Sequence, residues 1–102
     1  MFSEQKNNYE KILQKQNKLK ELYNWFLMLS KVVRMLNLIE NNKITINNNE
    51  FDINELEKIE IDNYYCNDIL DCKIVIFSEL INKLENILTE LNDKLKKQKI
   101  KK

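Results

Sequence analysis

Few side chains in this chain of 102 residues are of a type and spacing that could do chemistry. Asp68 and Asp71 stand three apart in a segment that reads as helical, so they share a face and could in principle act as a carboxylate pair. With Lys58 and Lys73 near them in sequence, a solvated acidic face is the simpler expectation. Asn48, Glu50 and Asp52 offer oxygens at the spacing of a calcium loop, but the loop glycine and the closing glutamate are missing. Cys66 and Cys72 are the only cysteines. On one helix they lie about 9 Å apart along the axis, too far to bridge, and half-buried thiols are expected. The chain has no His, which removes the usual base of a nucleophilic triad and a common zinc ligand. It has no Gly, so it cannot build a phosphate-cradling loop. Ser30, Ser78, Thr45 and Thr89 have no partner in the pattern. No catalytic residue, cofactor site or metal site is expected, and the chain reads as a non-enzyme.

The elements that would position these residues are mostly helices. The densest apolar stretch is Leu22–Ile39, thirteen of whose eighteen residues are apolar; it contains the only Trp and the only Arg. At 100° per residue, Asn24, Ser30, Lys31, Arg34 and Asn37 fall in one polar arc of roughly 140°. The remaining arc is wider than a single helical neighbour covers. Apolar surface should therefore remain after one intramolecular contact, and such patches mark association sites. A membrane span is not expected, because Lys31 and Arg34 interrupt a run that would need ~20 apolar residues.

A helix is expected over 4–40, with Ser3 as a weak N-cap and Asn41-Asn42 as the stop. Ile44 and Ile46, then Phe51 and Ile53, alternate with polar residues around Asn47-Asn48-Asn49-Glu50, which predicts a loop or short β-hairpin over 43–53. Asn54 with Glu57 forms a capping box opening a short helix over 54–61. Leu70, Ile74, Phe77, Ile81, Leu84, Leu88, Leu91 and Leu95 then step by fours and threes, predicting a long helix over 63–96 followed by a basic tail over 97–102.

The expected fold is all-α, or α with one short β-hairpin. Two long antiparallel helices would form a helical hairpin or coiled coil, alone or as part of a bundle. A single helical domain spans 1–102. Charge divides the chain in three: residues 1–43 carry +4, residues 44–72 carry −7, and residues 73–102 carry +4. Sixteen Asn, sixteen Lys and one Arg match the usage of an AT-rich genome.

The order of long helix, small hairpin and long helix resembles the layout of the beta-type subunit of prefoldin, a chaperone built from coiled-coil hairpins with a β-hairpin at the bend. The resemblance covers most of the chain as layout only; the family's glycine-containing hairpin strand has no counterpart here. It implies a client-binding chaperone as one alternative function, with a small nucleic-acid-associated factor using the basic ends as another. The primary expectation is a non-catalytic interaction or scaffold subunit of a multi-protein complex. Its interface would be Trp25, Phe26, Leu29, Val33 and Leu36, paired with Ile74, Phe77, Ile81 and Leu84 or with a partner's equivalents. The expected partner is another helical protein or a second copy, rather than nucleic acid. The unpaired thiols and the polar N-terminus point to an intracellular site, cytoplasmic or nuclear.

Overall fold

The computed structural model describes the backbone of residues 2–100 and the side chains of residues 8–97. Helix α1 spans Phe2–Met35, strands β1 and β2 span Lys43–Ile46 and Asn49–Asp52, helix α2 spans Ile53–Glu57, and helix α3 spans Asn67–Ile100. A single 3₁₀ turn, Ile61–Asn63, precedes α3. The expected fold class holds: two long helices pack on each other, with one short antiparallel hairpin. No described helix is long and apolar enough to cross a membrane. The basic tail over 97–102 lies largely outside the described side chains, and Ser3 lies outside them altogether.

In a chain without glycine, asparagine takes the left-handed positions. Asn37, Asn41, Asn42, Asn47 and Asn48 all have positive φ. Asn37 ends α1 five residues earlier than Glu40, the boundary expected from sequence. The Leu38 amide donates to the Val33 carbonyl and the Asn37 amide to the Arg34 carbonyl, the paired bonds of a Schellman stop. Asn47 and Asn48 form the two-residue turn of the hairpin, with φ of 50° and 66°, as a type I′ turn requires. Ile46 therefore faces Asn49 and Ile44 faces Phe51, which draws Asn49 and Glu50 out of the expected turn and into β2.

The cap of α2 also differs from expectation. Asp52, not Asn54, is the N-cap, its carboxylate accepting from the Asn54 amide at 2.9 Å. The short helix accordingly spans 53–57 rather than 54–61. α3 starts at Asn67 rather than 63, after the 3₁₀ turn.

The relative direction of the long helices corrects the expected antiparallel hairpin. Lys15 of α1 meets Asp71 of α3 at 2.9 Å. Eight residues further along α1, Tyr23 packs edge-on against Phe77, six residues further along α3. The two helices advance together, so they run parallel. An antiparallel course that kept Phe77 beside Phe26 would carry Asp71 roughly 25 Å from Lys15. The direction follows from the connection. Residues 36–66 turn at the hairpin and run back down α1: Arg34 binds Asn54, Tyr23 binds the Glu57 carbonyl, Lys20 pairs with Asp62 and Gln16 binds the Tyr64 carbonyl. α3 thus begins low beside α1 and climbs past its end. The molecule is a rod, 69 × 26 × 22 Å. The antiparallel layout carried by the resemblance to prefoldin is not what this chain builds.

The core lies where three segments meet. Leu19, Phe26, Leu29 and Val33 of α1 and Leu70, Phe77, Leu80, Ile81 and Leu84 of α3 are buried together with Ile44, Ile53, Leu56 and Ile61 of the connection. Phe77 is central, edge-to-face with both Tyr23 and Phe26 at 5.8 and 5.4 Å between centroids.

Candidate interaction surface

α1 presents three faces. Measured from Trp25 at 100° per residue, Leu19, Phe26, Leu29 and Val33 centre near 80°, and this face is closed by α3. Gln16, Lys20, Tyr23, Ser30 and Arg34 centre near 180°, and this face is closed by the connection.

That second face is held by polar contacts around Glu57. Its carboxylate accepts from Arg34 at 2.6 Å and from the hydroxyl of fully buried Ser30 at 3.0 Å, and its carbonyl accepts from the Tyr23 hydroxyl. Arg34 donates a second bond, to Asn54, at 2.8 Å. The one arginine and the buried serine of α1 are thus consumed in anchoring α2. Burial raises the Tyr23 hydroxyl above its usual pKa, and the negative charge of Glu57 adds to the shift. Below this cluster a cleft of about 380 Å³ lies between Lys20, Tyr23 and Asn24 of α1 and residues 59–62.

The third face is open. Trp25, Met28, Val32, Met35 and Leu36 centre near 330°, about 150° from the connection. They are 51%, 58%, 38%, 73% and 48% exposed. Trp25, Met28, Val32 and Met35 repeat at steps of three, four and three, the spacing of a helix-packing seam. The wide apolar arc expected from sequence therefore divides into one side buried within the chain and one left over.

This division redistributes the residues expected to form the interface. Phe26, Leu29, Val33, Phe77, Ile81 and Leu84 lie in the chain's own core, and Ile74 is half-buried against it. Trp25 and Leu36 lie on the open face. Met28, Val32 and Met35 join them there. Their signal in the sequence is the seam spacing from Trp25, one residue of phase from the stripe beside it.

The other chemical candidates do not converge. Asp71 pairs with Lys15 while Asp68 is exposed. Asp52 caps α2, and Glu50 lies 3.7 Å from Lys43 across the hairpin. No group of three metal-ligating side chains occurs among the described residues. Cys66 and Cys72 are both free and exposed, not half-buried: Cys66 precedes α3, and Cys72 lies on the outer side of α3 beside Val75 and Ile76.

No protein-family model matches the chain, and no curated protein or solved structure matches it.

Proposed function

We propose that this chain is a non-catalytic helical subunit that assembles with other helices through the open face of α1. The observation that carries this reading is the stripe Trp25, Met28, Val32, Met35 and Leu36, apolar and exposed on a helix whose other two faces are occupied. An exposed stripe of this size, on the order of 500 Å², is at the upper end of what a lone soluble chain displays. Tryptophan at its edge is the residue type that most often dominates an interface. The partner is helical, because a seam of threes and fours fits the ridges of another helix.

The client-binding alternative draws on helix tips, residues 9–19 and 88–100, that act together at one end. The parallel course of α1 and α3 sends them to opposite ends, which weighs against a pincer. The basic ends are separated in the same way, which weighs against a single nucleic-acid patch.

The test is recovery of companion proteins on the tagged chain from its native cells. The variant carrying Met28→Asp and Val32→Asp should keep its helix content, since both side chains are at the surface, and should lose its companions. Unchanged recovery by the folded variant would reject the reading.

A further inference from the structure

The spacing of the open stripe reads the same in both directions. Trp25, Met28, Val32 and Met35 are separated by three, four and three residues. About a two-fold axis level with residue 30, an antiparallel copy of α1 would set each Trp25 opposite Met35 and each Met28 opposite Val32. Thioether against indole and large against small are favourable pairings at a packed seam. Exposures of 51%, 58%, 38%, 73% and 48% leave on the order of 500 Å² on each copy. Two copies face to face would bury on the order of 1,000 Å², the threshold for a specific interface. α3 and the connection lie about 110° and 150° around α1 from this face, so neither obstructs the approach.

We propose that a second copy of this chain covers the open face of α1, antiparallel about a two-fold axis near residue 30. The proposal rests on the reading of that face as an association surface and names its occupant. Only Lys31 borders the middle of the stripe on the open rim. In the antiparallel pair both Lys31 side chains fall on the same rim, one residue to either side of the axis. Their repulsion is screened by salt, so the pair tightens as ionic strength rises. In a parallel pair the two would lie on opposite rims.

That difference supplies the test. In a chain carrying Cys66→Ser and Cys72→Ser, single cysteines are placed by Lys31→Cys or by Met35→Cys and treated with a thiol-specific cross-linker spanning about 8–10 Å, the separation of rim residues on two packed helices. Lys31→Cys should give a cross-linked dimer. Met35→Cys should not, its two copies being roughly 15 Å apart along the axis. In the unaltered chain, Trp25 emission should shift to shorter wavelength between about 1 and 100 µM, the range that brackets a micromolar dimer. Cross-linking at Met35→Cys, or no cross-link at either site with Trp25 emission unchanged, would overturn the second copy as occupant. The association-surface reading would then stand or fall separately, on whether Met28→Asp with Val32→Asp strips other proteins from the tagged chain.

Discussion

At the residue scale, the contacts that matter most are the polar ones that seat the connection on α1. Arg34 and Glu57 are each about a quarter to a third exposed, and the guanidinium donates one bond to Glu57 and a second, from its other terminal nitrogen, to Asn54. Arg34→Ala removes both bonds and leaves Glu57 half-buried with only Ser30 to bind it. The variant should lose about 1–3 kcal/mol, read as a lower urea midpoint. Tyr23 gives a pH signature. Its folded pKa lies above the ordinary value of 10.0, so the folded state holds the phenolic proton more tightly than the unfolded state. The associated stability is fully present below that ordinary value and is lost as pH rises through the folded pKa. Tyr23→Phe should remove this component of the alkaline fall, measured as the thermal midpoint from pH 9 upward. Asn48→Gly should be neutral or mildly stabilising at φ 66°, whereas Asn48→Val should cost about 1–2 kcal/mol, because a β-branched side chain opposes the left-handed conformation. Asparagine at these turns was legible in the sequence, since nothing else in a glycine-free chain tolerates positive φ as well. Which asparagine stops α1 was not. Asn37 and Asn41 are chemically alike, and the choice is made by the Schellman bonds back to Val33 and Arg34.

At the element scale, each helix is explained by what lies beside it. Phe77→Ala should destabilise by about 3–5 kcal/mol, because the ring is fully buried between Tyr23 and Phe26. Leu95→Ala, in the same apolar repeat of α3, should cost well under 1 kcal/mol in the isolated chain, since Leu95 is half exposed beyond the end of α1. Denaturant titration of the two variants measures how far along α3 its pairing with α1 extends. Periodicity made the existence of both helices, the hairpin and nearly all the core positions of α3 readable. Over the densest stretch of α1 alone, it could not assign the stripes to partners. Phe26, Leu29 and Val33 differ from Trp25, Met28 and Val32 by one residue of phase, and within Leu22–Ile39 both sets satisfy the rule of threes and fours. The first set continues toward the N-terminus as a seven-residue repeat through Leu22, Leu19 and Ile12, whereas the second runs into Glu21 and Lys18, and α3 packs on the longer repeat.

At the scale of the whole molecule, the direction of α3 fixes everything else. A short loop between the long helices would have returned the chain antiparallel. Here residues 36–66 make the return themselves, packing Ile44, Ile53, Leu56 and Ile61 into the groove and closing one face of the pair. The sequence marks those residues as apolar but carries no mark of the direction, because a heptad pattern is satisfied by either one. From the parallel course follow the rod shape, the overhang of α1 at one end and of α3 at the other, and the single open face of α1.

The parallel course is therefore the claim to test most directly. Spin labels attached at Tyr9→Cys and Leu95→Cys, with Cys66 and Cys72 changed to serine and the labelled chain diluted into unlabelled chain, report the distance between the two free helix ends. A parallel staggered pair predicts a separation of about 50 Å at 1.5 Å per residue. A separation under about 20 Å would mean that the helices fold back antiparallel, and the open face would then have to be redrawn.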